Sequence, residues 1–324
     1  MQETIFNIKS EAQFTKIALN VFKHQFKNNK VYRSFCDLLY IHPSDVTKVE
    51  KIPFLPIQFF KTREVLSSTA EIKEIFTSSG TTGSVTSKHF VTDIKLYKES
   101  YLKGFAHFYG NIEEYAVLAL LPNYLERNGS SLVFMVDDLI VKSKNPESGF
   151  YLDNIDELAQ KLINLDEKGQ KILLIGVSFA LLDLIEKYQF NLKNTVVMET
   201  GGMKGRRKEL IRSELHQLLQ EGFNVNEIHS EYGMTELLSQ GYSKGNGIFE
   251  TPSWMRILTR DTEDALTILP RGKVGGINVI DLANYNSCSF IATQDLGKVH
   301  ENKTFEIIGR FDNSDIRGCN LMVL

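Results

Sequence analysis

The sequence predicts an α/β protein with largely parallel sheets flanked by helices, followed by a smaller β-rich subdomain. Three observations lead there. The middle of the chain alternates short apolar runs with amphipathic stretches, the pattern of crossover units on a parallel sheet. After about residue 248 the helical stretches stop and only strand-like ones follow. The 324 residues, 42% of them hydrophobic and only 7 of them proline, suffice for one large domain or two ordinary ones with a real core. The chain accordingly divides into an α/β core over 1–248, a β-rich subdomain of the same unit over 249–309 and a tail over 310–324.

The elements follow in order. From 12 to 39, Phe14, Ile17, Ala18, Val21, Phe22, Phe26, Phe35, Leu38 and Leu39 recur mostly at spacings of three and four, which predicts an amphipathic helical start. "IPFLPIQFFKTREV" (52–65) breaks that pattern, because Pro53 and Pro56 push their predecessors to extended geometry. Next come "YAVLALLP", "KILLIGV", "TVVMET" and "NVNEIHS" as strands, with "SLVFMVDDLI", "SFALLDLIEKY" and "RRKELIRSELHQLLQ" as helices. Loops at the carboxyl ends of such strands are the ligand-binding positions of open α/β sheets. "WMRILTR", "GGINVIDL", "SFIATQD" and "KTFEIIGR" supply the late strands.

Composition excludes several classes of function. A formal charge of −3 gives no global attraction to nucleic acid or an anionic membrane. The longest apolar run, "AVLALL" at 116–121, is far short of the roughly 20 residues of a membrane span. The start carries Glu3, Lys9, Glu11 and Lys16 among its apolar residues, unlike a signal core. A cytoplasmic location is expected. Cys36, Cys288 and Cys319 are odd in number and widely spaced, so reduced thiols are expected rather than a disulfide framework or a zinc site.

Four stretches bear on chemistry. In "FTSSGTTGSVTSK" (76–88), Gly80 and Gly83 let the backbone turn its N–H groups inward as an anion nest. The hydroxyls of Ser78, Ser79, Thr81, Thr82 and Ser84 add donors. The Walker spacing is absent, and alone the stretch reads equally as a surface Ser/Thr loop. In "HSEYGMTELLSQGYS" (229–243), Tyr232 can stack on a purine, Thr235 can touch a phosphate, and Glu236 offers the hard oxygen magnesium prefers; a plain strand-to-loop turn has the same look. In "ETGGMKGRRKEL" (199–210), Lys204, Arg206, Arg207 and Lys208 open a predicted helix, where cations oppose the helix dipole by about 0.3–1 kcal/mol each. An anionic partner or a solvated, screened cluster accounts for them. In "FEIIGRFDNSDIRGCNLMVL", Cys319 lies five residues from the end of the chain, either as a mobile thiol or as a small hydrophobe in a docked tail.

Jointly and in this order, these stretches resemble the acyl-adenylate-forming superfamily of acyl-CoA synthetases, nonribosomal adenylation domains and luciferases. "SSGTTGSV" resembles its phosphate loop and "YGMTE" its adenine and magnesium motif. "ATQDLG" (292–297) resembles the motif whose aspartate, here Asp295, holds the ribose, and "IIGRFDN" resembles the hinge motif with Arg310. "IPFLPIQFFK", "LLPNYLERNGSSLVFM", "TGGMKGR" and "RGCNLMVL" are similar more particularly to the LuxE-type acyl-protein synthetases, the ATP-using component of a fatty acid reductase.

That resemblance implies an adenylate-forming fold of the N-terminal-domain type, with the C-terminal lobe absent or vestigial and a hinge-like tail over 310–324 bearing Cys319. It implies ATP and Mg2+ as cofactors and a fatty or other carboxylic acid as substrate. The acid is activated to acyl-AMP and transferred to the Cys319 thiol, then delivered to an acyl-CoA reductase or an acyl-carrier partner. The nucleotide would be held by Ser78, Ser79, Gly80, Thr81, Thr82 and Gly83, by Gly201 and Gly202, by Tyr232 and Gly233, and by Asp295 and Arg310. Thr235 and Glu236 would act in catalysis, with Glu236 on the metal. Two departures stand out: Thr86 occupies the place of a basic residue, with Lys88 the nearest lysine, and the chain stops fourteen residues after Arg310, where relatives add a lobe bearing a catalytic lysine. Lys204 is the candidate replacement. Two further readings stay open: a ligase charging coenzyme A or a carrier protein with an acyl or aryl group, and a non-catalytic nucleotide-binding module.

Overall fold

The apolar spacing of the amino terminus does fold as helix, broken once by a buried asparagine. In the computed structural model, which describes residues 2–78, 85–121, 129–152, 154–201 and 210–310, a short α1 (Gln2–Ile5) precedes α2 (Glu11–Asn28) and α3 (Lys30–Leu38). The Ser10 side chain caps α2 by accepting from the Gln13 N–H. Asn29 has extended backbone, with φ −95° and ψ 108°, and its side-chain oxygen accepts from the Tyr32 N–H at 2.9 Å. One residue thus ends α2 and starts α3. Phe14, Ala18, Val21, Phe22 and Phe26 form the buried stripe of α2.

The proline-bearing connection is extended only at β1 (Leu55–Pro56), which pairs in parallel with Ile291 and Ala292. A single helical turn, α4 (Phe59–Thr62), follows, because a proline constrains itself and its predecessor but not residues three positions on.

The stretch from 72 to 252 is one compact unit. It opens with an antiparallel pair, β2 (Glu74–Thr77) and β3 (Lys88–Val91). There follow α5 (Ile94–Tyr109), β4 (Tyr115–Leu120), α6 (Ser131–Ser143), β5 (Gly149–Tyr151), α7 (Ile155–Glu167), β6 (Lys171–Val177), α8 (Ser178–Lys187), β7 (Thr195–Thr200), α9 (Arg212–Phe223), β8 (His229–Tyr232), β9 (Gly241–Ser243) and β10 (Phe249–Glu250). Across this unit the strands run in the order β10-β9-β8-β7-β6-β4-β5. The pairings from β5 to β8 are parallel, and those of β8 with β9 and β9 with β10 antiparallel. Every residue of β4 and all but the first of β6 are buried, as expected of strands covered on both faces. The predicted α/β class with largely parallel strands and flanking helices is therefore what the chain adopts.

The second unit joins residues 1–71 to those from 253 onward. Its strands, β11 (Met255–Arg260), β12 (Val274–Asp281), β13 (Phe290–Val299) and β14 (Phe305–Arg310), pair antiparallel in sequence order. A buried polar network explains why the amino-terminal helices belong with these late strands. Gln25 Nε2 donates to the carbonyls of Asn284 and Tyr285 at 2.9 and 3.1 Å, while Gln25 Oε1 accepts from the Ser289 N–H at 2.9 Å. Asn29 Nδ2 donates to the Ser287 carbonyl at 3.0 Å. Cys36 and Cys288 are free and buried, and burial pushes the Cys36 thiol up to about 12 and the Cys288 thiol up as well. Neither is a ready nucleophile.

Gln25 donates to the Tyr285 carbonyl and accepts from the Ser289 N–H, so truncating it removes a partner from each, at about 1–3 kcal/mol for a buried group left unpaired. Gln25→Ala is expected to lower the unfolding free energy by roughly 3 kcal/mol, read as a lower urea midpoint.

Candidate active site

The site-bearing residues of the 72–252 unit gather at the carboxyl ends of β7 and β8. These strands pair in register, Glu199 opposite Ser230 and Thr200 opposite Glu231, so the segments that leave them, Gly201 from one and Gly233 to Glu236 from the other, start side by side. Gly201 has φ +72°, a conformation glycine takes without strain, and its carbonyl accepts from Ser178 Oγ at 2.7 Å. The Thr200 hydroxyl donates to Glu231 Oε2 at 2.7 Å, which ties the two strand ends together.

Tyr232 is buried, its ring 6.0 Å from that of Phe249 and inclined by 65°. Glu236 is 5% exposed. Thr235 is held by a residue that the sequence left without a role: His89 on β3, whose Nδ1 lies 2.8 Å from the Thr235 carbonyl. A carbonyl only accepts, so Nδ1 carries the proton. Burial depresses this imidazole to about 4. His229, the first residue of β8, instead meets the Tyr109 hydroxyl at 3.2 Å and lies three positions upstream of Tyr232.

Ser78 closes the base of the Ser/Thr loop: its N–H donates to the Ser87 carbonyl at 3.1 Å and its Oγ accepts from the Ser87 N–H at 2.9 Å. Ser79, Gly80, Thr81, Thr82, Gly83, Gly202, Lys204 and Cys319 lie outside the described residues. On β7 sits a charged cluster that no sequence motif marks, Glu199 lying two positions before the first of the emphasised glycines. Buried Glu199 lies 3.6 Å from His216 Nε2 and 3.8 Å from Arg212 Nε, both on α9.

In the other unit, Asp295 on β13 faces Arg310 on β14 across the ladder. Arg310 Nε approaches Asp295 Oδ1 to 3.3 Å. Asp295 is nearly buried, and its N–H donates to Thr293 Oγ1 at 3.1 Å. The Thr293 strand is itself fixed by buried Arg260, which donates to the Thr293 carbonyl and to Asn278 Oδ1. An aspartate so mounted presents acceptor oxygens on a rigid strand.

For magnesium, the described residues contain no group of three or more carboxylate, histidine or cysteine ligands. Buried Glu236 offers a single carboxylate, the kind of ligand magnesium takes together with substrate phosphates.

The sign of the His89 effect is set by its depressed value. The unfolded chain takes up a proton near 6.5 and the folded chain only near 4, so the stability His89 contributes is present above pH 6.5 and lost as pH falls to about 4. His89→Asn is expected to be less stable than wild type at pH 7. It should lose on the order of 2–3 kcal/mol less than wild type between pH 6.5 and 4, measured by denaturation at each pH.

Comparison with known proteins gives the family and the fold. Residues 6–116 and 129–324 match the family "Acyl-protein synthetase, LuxE". A long-chain-fatty-acid–luciferin-component ligase of Vibrio harveyi is 24% identical over 343 residues, covering 98% of this chain and 89% of that protein. Its counterpart in Aliivibrio fischeri is 25% identical, covering 99% of this chain and 90% of that one. Among solved structures, 2-hydroxyisobutyryl-CoA ligase with its acyl-adenylate superposes with TM-score 0.69 at 11% identity, over 94% of this chain and 68% of that one. ATP-bound MatB from Rhodopseudomonas palustris superposes with TM-score 0.56 at 17% identity, over 75% of this chain, and the match spans about half, 49%, of the MatB chain. The fold is that of the adenylate-forming ligases. No helix among the described residues is long and apolar enough to cross a membrane. On the family match across nearly its whole length, the chain belongs to the LuxE acyl-protein synthetases and is an AMP-forming acid ligase.

Proposed function

We propose that the protein activates a fatty acid with ATP and then carries the acyl group as a thioester on Cys319, for delivery to a reductase or another acceptor. The observation that carries the nucleotide part is the side-by-side departure of Gly201 and Gly233 from paired strands. Backbone that leaves two neighbouring strands together would let an adenine lie beside Tyr232, with Thr235 and Glu236 following in the same segment. The fatty acid is the class of acid that the Vibrio harveyi and Aliivibrio fischeri relatives are named for.

In the first step a carboxylate oxygen attacks the α-phosphorus of ATP, the bond from phosphorus to the bridging oxygen breaks, and pyrophosphate leaves. Charge grows on phosphate oxygens, and donors aimed at them lower the barrier most. Ser78, Ser79, Gly80, Thr81, Thr82 and Gly83 are the proposed donors, with Thr235 beside them and Lys204 as the cation. Gly201 and Gly202 let backbone lie along the adenine face opposite Tyr232, Asp295 accepts from the ribose hydroxyls, and Arg310 holds Asp295 in place. Magnesium on Glu236 would neutralise phosphate charge.

In the second step the Cys319 sulfur attacks the acyl carbon of the mixed anhydride and AMP leaves with the bonding pair. The product is a thioester that a later acceptor can open. Cys36 and Cys288 are unsuited to this step because both are buried with raised thiol values.

Purified protein incubated with ATP, magnesium and acids of graded chain length is expected to gain an acyl mass that hydroxylamine removes. Cys319→Ser should form AMP without the adduct, and Glu236→Gln should lower the rate of AMP formation by roughly 100-fold or more. Wild type that forms AMP but no adduct would contradict the thioester and favour coenzyme A or a carrier as acceptor. Failure to form AMP from any acid would contradict the activation step itself and favour a binding module.

A further inference from the structure

Glu231 precedes the tyrosine of the "YGMTE" stretch and has no part in the chemistry above, yet it touches both loops of the nucleotide slot. One carboxyl oxygen, Oε2, accepts from the Thr200 hydroxyl at 2.7 Å. The other, Oε1, occupies the space a Cβ at position 233 would need. Thr200 is followed by Gly201, whose carbonyl is pinned by Ser178, so the side chain spans from the end of β7 to the backbone that follows β8. We propose that Glu231 is a positioning residue for the adenine slot, its carboxyl clamping the Gly201 and Gly233 loops at a fixed separation. This rests on the nucleotide reading given above.

The surroundings say which form of the clamp works. Around Glu231 stand Glu199 on β7, Tyr109 on α5 and Tyr242 on β9. Glu199 is in turn faced by Arg212 and His216 on α9, and Lys244 lies over the Tyr109 ring at 5.9 Å. Burial, with Glu199 adding to it, raises the carboxyl to about 7. The Thr200 hydroxyl pulls the other way, but ionising the carboxyl adds a second negative charge beside Glu199, which disfavours a phosphate-bearing ligand nearby.

The test is calorimetric binding of AMP and of adenosine to the full chain, as wild type, Glu231→Gln, Glu231→Ala, Gly233→Ala and the Glu231→Ala/Gly233→Ala double variant, with melting temperatures alongside. Glu231→Ala is expected to weaken AMP binding on the order of tenfold, the effect of losing one well-placed hydrogen bond, while Glu231→Gln retains it. Wild-type affinity should fall as pH rises through about 7, and the Gln variant should lack that fall, the titration of the AMP phosphate being common to both. Gly233→Ala should weaken wild type more than it weakens the Glu231→Ala background, where the methyl has room. Unchanged binding in Glu231→Ala, or matching pH curves for wild type and Glu231→Gln, would overturn the clamp. Should Glu231→Ala not fold, the Gln pH curve and Gly233→Ala still decide it. Wild type that binds neither AMP nor adenosine would instead sink the nucleotide reading on which the clamp depends.

Discussion

The parallel, in-register pairing of β7 with β8 is the constraint on which the candidate site depends. Because side chains alternate along a strand, a slip of one residue would turn Thr200 away from Glu231 and send Tyr232 to the other face of the sheet. The register is protected by the buried strands beside it, since β4 and β6 have almost no exposed residue and cannot shift without exposing apolar surface. From that fixed pairing come the adjacent glycines, the half-buried Glu231 and the start of the Thr235–Glu236 segment. His89 then anchors that segment to the hairpin whose loop begins at Ser78. Ser178, the first residue of α8, adds a second anchor through the Gly201 carbonyl.

The two units place their site residues by different means. In the 72–252 unit, loops leaving parallel strands carry them, and small contacts fix those loops: Thr200 to Glu231, His89 to Thr235, Ser78 to Ser87. In the other unit, Asp295 is set within a ladder braced by buried Arg260. The buried residues Gln25 and Asn29 make that second unit from two distant stretches of chain, because the backbone around 284–289 is satisfied by side chains of α2 and the turn after it.

Much of this was legible in the sequence, for physical reasons that also explain what was not. β4, β6 and β7 announce themselves as apolar runs because both faces of each strand are covered. The four late strands read correctly because each is six residues or longer. The hairpin strand β2 has a single buried residue, Phe76, so its alternation carries little signal. The predicted strand "NVNEIHS" is shorter and later than expected, beginning at His229, because Asn224 takes a left-handed backbone, φ 52°, to end α9. Among the candidate residues, Tyr232, Thr235, Glu236, Asp295 and Arg310 could be named from motifs. His89, 146 positions from its partner, could not, because a lone histidine in a short strand carries no pattern. Glu199 and Glu231 were equally silent: their meaning comes from lying on neighbouring strands, which only the register reveals.

The proposed function turns on one intermediate, an acyl-adenylate formed beside Tyr232. Acid-dependent exchange of labelled pyrophosphate into ATP tests it most directly, because exchange needs only the reversible first step and neither thiol nor acceptor. Exchange is expected to require a fatty acid, to survive loss of Cys319 and to collapse when Glu236 is replaced. Absence of exchange with every acid tried, or exchange indifferent to Glu236, would contradict it.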